Sequence, residues 1–353
     1  MKTGIVGAGA IARRGHLPAC RTIPEIEIGG IADLDLSLAE KVAAEFGISR
    51  YVSDCETLLE DDSIELIDIC TPTPTHLDVI RAAAKKGKHI LVEKPLSITL
   101  EDALEIQKIV KANGINLCVV HNWRYAPSVD RVKKRISGGC IGNIVTIHGL
   151  GLSGFPSSWT LNTWLYHQGG VLYDFGPHVI DMVLYMKNFS PVKTVYAAGG
   201  DFSRGNMDFI NYAVLTIEFE DGSVVTTDIS WMTASVLKFT LDIHGTAGNI
   251  LLDIRNDSYS EVHGFSTPFD DTRYFFSKMW RIGTGVLSGS YFNGANTYYR
   301  PIIHDFINAI EGNGVIPVTV DQAVMTNAVL EAAKLSILEN RLISYSELVG
   351  ECR

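Results

Sequence analysis

The sequence predicts an α/β fold in two parts: a doubly wound parallel-sheet domain at the N-terminus, then an α+β domain built on a largely antiparallel sheet. Three observations carry this expectation. Over the first 120 residues, short apolar runs alternate with amphipathic helical periodicity, the pattern of a parallel sheet covered on both faces. After His121 that alternation stops and strand-like segments dominate. At 353 residues the chain also exceeds what one hydrophobic core usually organises, so two domains are expected, at 1–122 and 123–353.

In chain order, strands are expected at 3–6, 26–32, 66–70, 89–92 and 116–120, with a weaker one near Tyr51. Most read as continuous apolar runs, as strands buried on both faces must. Helical periodicity falls between them at 11–21, 37–46, 75–86 and 100–113, and Gly47, Gly87 and Gly114 follow three of these as helix-ending glycines. Beyond His121, a helix over 127–136 ends at Gly138–Gly139, and strands are expected at 144–150, 194–198, 213–219, 223–230 and 239–244. Asp221–Gly222, between two β-rich runs, signals a hairpin. The segment 255–300 is rich in Ser, Gly and aromatic residues and has little periodicity, and helices return at 302–311 and 320–338.

Composition excludes several classes of function. A formal charge of −10 is the wrong sign for a nucleic-acid partner, whose phosphates need a basic face. No apolar run reaches the ~18 residues that would span a bilayer, so no membrane partner is expected. The opening stretch 4–12 has the length of a short signal core. Its small residues belong to another motif and Arg13–Arg14 stops it early, which reads as the start of a cytoplasmic protein. The six cysteines, Cys20, Cys55, Cys70, Cys118, Cys140 and Cys352, form no CxxC pair, and their spacing suits neither zinc nor a disulfide framework.

Gly7-Ala8-Gly9-Ala10-Ile11-Ala12 is a G-x-G-x-x-A fingerprint placed after a strand and at the opening of a helix. Gly7 permits the tight turn, and Gly9 removes a side chain that would block a pyrophosphate. The helix start at Ala10 and Ile11 offers N–H groups to phosphates, and Ala12 allows close packing. Asp33 stands 24 residues after Gly9, at the end of the second strand, where a carboxylate accepts from ribose hydroxyls. It would also repel a 2′-phosphate, so NAD is expected over NADP, with Arg13 and Arg14 as the residues that favour NADP. A helix cap, the structural alternative for Asp33, better suits Asp35 or Ser37.

Two further clusters carry chemistry. The strand at 89–92 ends in Glu93-Lys94-Pro95, which aims Lys94 into the crevice beyond the strand ends, with Pro95 fixing the local backbone. Later comes Gly169-Gly170-Val171-Leu172-Tyr173-Asp174-Phe175-Gly176-Pro177-His178, followed by Asp181. Pro177 suits a first helical turn, which brings Asp174 near His178. The helix N-terminus disfavours imidazolium while the carboxylate favours it, a balance that suits a general acid/base.

Together the fingerprint, Thr71-Pro72-Thr73-Pro74-Thr75-His76, Glu93-Lys94-Pro95 and the Gly169–Asp181 cluster resemble the glucose–fructose oxidoreductase / inositol dehydrogenase family. The resemblance extends to His121-Asn122-Trp123-Arg124-Tyr125 and His244-Gly245-Thr246-Ala247-Gly248, but 255–300 matches poorly. It implies Lys94, Asp174 and His178 as the catalytic group, and Thr71, Pro72, His76 and Glu93 around the nicotinamide half. It also implies that Arg124 and Asp181 face a sugar, polyol or cyclitol substrate. The implied reaction is alcohol oxidation or its reverse. His178, oriented by Asp174, exchanges the hydroxyl proton, and Lys94 stabilises the developing alkoxide without a metal. A homodimer or homotetramer is implied as well. Two other readings stay open at this point: a non-catalytic NAD(H)-binding regulator, and an NAD-dependent enzyme with net non-redox chemistry such as glycoside cleavage.

Overall fold

The computed structural model describes residues 1–155, 169–203, 209–233, 237–262 and 298–350, with positions 272, 275–276, 279–280 and 283 besides. Most of the weakly patterned 255–300 segment, and Cys352, lie outside the described residues. The chain divides into two compact units, Met1–Asn122 with Ala295–Asn327, and Trp123–Gly294 with Ala328–Arg353.

The first unit holds six parallel strands: β1 (Lys2–Val6), β2 (Glu27–Ala32), β3 (Tyr51–Val52), β4 (Leu66–Ile69), β5 (His89–Val92) and β6 (Leu117–Val119). Their order is β3-β2-β1-β4-β5-β6. Every residue of β4 and β6 is buried, as the continuous apolar runs require. The order reverses between β1 and β4, and that switch point is where sheets of this type open a ligand crevice.

The helices of this unit begin and end on the residues that physical chemistry favours. Asp35 caps α2 (Leu36–Phe46) by accepting from the Ser37 and Leu38 amides, and Gly47 closes it at φ +68°. Thr99 caps α5 (Leu100–Asn113) by accepting from the Asp102 amide, and Gly114 closes it at φ +63°. Between them lies α4 (His76–Lys85). The first helix departs from the single α-helix expected over 11–21. Its middle, Ala12–His16, is a π turn, and α geometry resumes only in α1 (Leu17–Cys20). Pro18 supplies the reason. It has no N–H for the Arg14 carbonyl and its ring crowds that carbonyl, so a wider turn upstream relieves both problems.

The second unit is a mixed sheet of β7 (Ile144–Leu152), β8 (Val192–Gly200), β9 (Tyr212–Phe219), β10 (Val224–Ser230), β11 (Lys238–Gly245), β12 (Asn249–Asp253), β13 (Ser258–Val262) and β14 (Ile343–Ser344). The order is β13-β12-β11-β7-β10-β9-β8-β14, antiparallel except where β10 runs parallel to β7. The Asp221–Gly222 hairpin joins β9 to β10 as expected, with Gly222 at φ +81°. Along β9 and β11 burial alternates residue by residue, so one face is packed and the other is half-exposed.

The packed face receives a helix interrupted at Phe175, α7 (Val171–Asp174) followed by α8 (Gly176–Met186). The approach of α8 to the sheet is set by Gly149 and Gly151 on β7. A β-carbon on Gly151 would lie 2.4 Å from Val179 Cγ2, so glycine is what lets Val179 seat against the strand. Val179 is β-branched and its methyl cannot swing away freely. Gly151→Ala should therefore push α8 outward, at a cost of about 1–3 kcal/mol. Thermal unfolding should register a Tm lower by roughly 2–8 °C. An unchanged Tm would mean that the close approach is not a constraint.

Candidate active site

Beyond the carboxyl ends of β1 and β4 lies a cavity of about 490 Å³, lined by Gly7, Gly9, Asp33, Asp54, Thr71 and Pro72 among others. Gly7 has φ +99°, and a β-carbon there would come within 2.8 Å of the Cys70 carbonyl group. The turn after β1 thus passes directly against the chain leaving β4, and only glycine fits both the dihedral and the space. At Gly9 the reverse holds: an added β-carbon would meet nothing within 4 Å. That space, at the start of a helical run whose first amides have no intrahelical acceptors, fits a dinucleotide pyrophosphate. Ala10 and Ile11 begin that run, and Ala12 is fully buried beneath it.

Asp33 borders the same cavity. Its Oδ2 accepts from the Ala8 amide at 2.7 Å and its Oδ1 from the Asp35 amide at 2.9 Å. The carboxylate is therefore pinned to the glycine-rich turn, while Asp35 takes the capping role. Arg13 turns to α2, where its Nε and Nη2 donate to Glu45 Oε2 at 3.1 and 2.6 Å.

At the end of β5, Lys94 is half-buried and the Lys94–Pro95 bond is cis. Glu93 is buried, and three donors converge on it. Oε1 receives His16 Nε2 at 2.9 Å and the Tyr299 hydroxyl at 3.1 Å, and Oε2 receives the Lys94 amide at 3.1 Å. The other nitrogen of His16, Nδ1, lies 2.9 Å from Asp68 Oδ2. Burial presses the His16 pKa down, but the Asp68 charge and its hydrogen bond outweigh that and hold it well above the ordinary imidazole value. Burial pushes the Glu93 carboxyl up, yet the His16 hydrogen bond and charge leave it below the usual range. His76, also buried, has a lowered pKa because of that burial. Its two ring nitrogens lie 3.1 Å from the Leu96 and Thr71 carbonyl oxygens, and the one that carries the proton donates.

In the second unit, Asp174 ends α7 and His178 lies in the first turn of α8, both half-buried. Phe175 between them keeps helical dihedrals, φ −90° and ψ −28°, so the two are i and i+4 on one helical face. That spacing brings β-carbons to about 5–6 Å. The His178 ring meets the edges of Trp123 and Phe175, with centroids at 6.4 and 6.2 Å. Arg124 and Asp181 are brought together as a buried fork, Nε to Oδ2 at 2.9 Å and Nη2 to Oδ1 at 2.6 Å. Arg124 also stacks over Tyr185 and Phe189, 4.8 and 5.1 Å from their ring centres.

Sequence reasoning did not identify His16, Asp68 or Tyr299. One signal was present in Asp68, a carboxylate at the centre of the apolar run Leu66-Ile67-Asp68-Ile69-Cys70, where an unpartnered charge would be prohibitive. Gly149 and Gly151 were a second, since glycine inside a strand marks a close approach.

A six-stranded parallel sheet in this order, with a glycine cradle at its switch point and an acid closing its second strand, defines the dinucleotide-binding oxidoreductases as a class. Residues 1–121 match the model of an oxidoreductase family with an NAD-binding Rossmann fold, and residues 133–345 match that family's C-terminal alpha/beta domain. The chain belongs to this family, the Gfo/Idh/MocA oxidoreductases. Among its relatives, levoglucosan dehydrogenase of Pseudarthrobacter phenanthrenivorans is 29% identical over 347 residues, covering 86% of each chain. A scyllo-inositol 2-dehydrogenase (NADP(+)) of Bacillus subtilis is 28% identical over 359 residues, 97% of this chain and 95% of its own. A solved structure of levoglucosan dehydrogenase in complex with NADH and levoglucosan shares the fold at a TM-score of 0.83. It is 23% identical and is matched over 98% of this chain and 99% of its own.

Proposed function

We propose that this oxidoreductase is an NAD-dependent dehydrogenase acting on a hydroxyl-bearing carbon of a sugar or cyclitol, with Lys94, Asp174 and His178 at the reacting hydroxyl. The observation that carries the residue assignment is the anchored corner at Glu93–Lys94, a lysine held by its own backbone at the end of a strand that opens toward the cofactor cavity. NAD, when bound, supplies the hydride acceptor. His178 takes the hydroxyl proton in the oxidative direction and returns it in reduction. Asp174, one helical turn away, orients the ring and favours its protonated form. Lys94 donates to the hydroxyl oxygen and stabilises the alkoxide as it develops. Thr71 and Pro72, which line the cavity, His76, which contacts the Thr71 carbonyl, and Glu93 are assigned to the nicotinamide half. Arg124 and Asp181 hold the first turns of α8 as a pair and so support the substrate-facing side of that helix.

We also propose that the chain works in the cytoplasm, where the free thiols Cys20, Cys70 and Cys118 stay reduced. Among the described residues no helix is long and apolar enough to cross a membrane.

With Asp33 fixed at the cavity edge and Arg13 engaged by Glu45, a 2′-phosphate meets negative charge and does not find the Arg13 guanidinium free. The kcat/KM for NADP should fall below that for NAD by about a hundredfold, and Asp33→Ser should narrow the gap. Initial rates with both cofactors test this, and parity in the wild type would show that Arg13 or Arg14 prevails.

Lys94→Ala should lower kcat by roughly 10²–10³-fold and His178→Ala by roughly 10²–10⁴-fold, through lost alkoxide stabilisation and lost proton transfer. Neither touches Gly7, Gly9 or Asp33, so the Kd for NADH should be unchanged. Absorbance at the NADH band, with a panel of inositols and sugars, measures the rates. Wild-type turnover in either variant rejects the assignment.

The half-exposed sheet face, with Val224 and Tyr196 standing out from it, supports self-association as a homodimer or homotetramer. Light scattering at micromolar concentration should give a multiple of the 38.7 kDa chain. A monomer mass would refute the proposal.

A further inference from the structure

The first unit encloses a charged cluster behind the Glu93–Lys94 corner, and two of its members, His16 and Asp68, have no role in the proposed hydride chemistry. His16 and Asp68 are fully buried, and Glu93 nearly so. Each ring nitrogen of His16 lies 2.9 Å from a carboxylate oxygen, one from Asp68 on β4 and one from Glu93 after β5. A ring with an acceptor on both sides donates twice, which only an imidazolium does. The cluster is closed by Tyr299 from another segment and by Cys70 at the end of β4. The Tyr299 hydroxyl donates to Glu93, and the Cys70 thiol lies 3.7 Å from Asp68 Oδ1. Burial pushes that thiol up to about 12, so it stays protonated.

The ligand atoms of His16, Asp68 and Cys70 lie within 4.8 Å of one another, a spacing that is also compatible with metal ligation. Both His16 nitrogens instead point at carboxylate oxygens at hydrogen-bond distance, so the ring donates on both sides and has no lone pair to give a metal. Stability is a weak reason for such a cluster, because buried ion pairs are often matched or bettered by apolar packing. What the cluster does accomplish is geometric. With both nitrogens engaged the ring cannot rotate, so Glu93 Oε1 is fixed, and Oε2 is left over the peptide of the next residue, where it accepts the Lys94 amide. Two carboxylates facing one imidazolium also leave one negative charge, adjacent to the Lys94 side chain.

We propose that His16 is a positioning residue for Lys94: held between Asp68 and Glu93, it fixes the carboxylate that clamps the Lys94 backbone and leaves an unbalanced negative charge that restrains the ammonium. The π turn has a role in this arrangement, since the widened turn ends on His16. The proposal rests on the assignment of Lys94 to the reacting hydroxyl.

The test uses the full chain with NAD and whichever of myo-inositol, scyllo-inositol, glucose or levoglucosan the wild type oxidises. His16→Gln should lower kcat by roughly ten- to a hundredfold, the range expected when a reacting group is displaced by about an ångström. The Kd for NADH should stay within about twofold, because the change acts on the chemical step. In the Lys94→Ala background the same substitution should cost almost nothing more, since its effect runs through the missing side chain. Tyr299→Phe removes one donor to Glu93 without stranding a charge, and should lower kcat about two- to tenfold with the same loss of effect in the Lys94→Ala background. This variant carries the test if His16→Gln does not fold. In wild-type protein labelled with ¹⁵N-histidine, the His16 ring should remain protonated at pH 8.

A normal loss in Lys94→Ala combined with a wild-type kcat in His16→Gln and Tyr299→Phe overturns the proposal alone. So do losses that multiply fully with that of Lys94→Ala, or a neutral His16 ring at pH 8. Full activity in Lys94→Ala, or no turnover of any of the four polyols by the wild type, overturns the functional assignment and the proposal with it.

Discussion

Parallel pairing forces every strand of the first sheet to end at the same edge, and the first unit's chemistry depends on that constraint. Residues far apart in sequence leave the sheet side by side: Gly7 after β1, Asp33 after β2, Thr71 after β4, Glu93 and Lys94 after β5. None of the intervening helices has to carry a reactive group. Their task is to cover the faces, which leaves the edge open to a ligand. One close approach along this edge is Gly7 against the Cys70 backbone, and that contact sets how near the glycine-rich turn can come to the β4 exit.

What was legible in the sequence was what local physics dictates. Continuous apolar runs gave the parallel strands, glycines at positive φ gave helix ends at Gly47 and Gly114, and the Asp221–Gly222 pair gave a hairpin. The glycine fingerprint and the acid at Asp33 were readable because their spacing reflects one turn of backbone around one ligand. The parts that escaped depend on tertiary neighbours. The π turn follows from Pro18 acting on carbonyls a turn earlier, which a search for 3.6-residue periodicity does not detect. β12 and β13 are short, and β13 carries polar residues because it is an edge strand, partly exposed at every residue but Ser258. His16 and Tyr299 look ordinary in isolation, and no local pattern signals that they meet at one carboxylate.

The second unit solves a different problem with similar means. Its fork between Arg124 and Asp181 is almost wholly shielded, with side-chain exposures of 4% and 2%. Each charge would be costly alone, so removing either partner is expected to destabilise by about 3–5 kcal/mol even though the pair contributes little beyond a hydrophobic replacement. The pair brings together two segments far apart in the chain, the turn Asn122–Tyr125 and the helix Gly176–Met186. On the opposite side of that helix, Gly149 and Gly151 permit close seating on the sheet. A fork on one side and a tight apolar seat on the other leave the first turn of the helix, with His178, little freedom to rotate.

Tyr299 has a consequence for synthesis. All six strands of the first sheet are complete by residue 119, yet one donor to Glu93 comes from a helix that starts at residue 299. A nascent chain emerging at about 5–20 residues per second therefore exposes the sheet, the glycine turn and the His16 contact well before the corner at Lys94 can close. During that interval the N-terminal segment holds a nucleotide-binding surface whose Glu93–Lys94 corner lacks one of its tethers. Maturation of this corner is coupled to translation past residue 299.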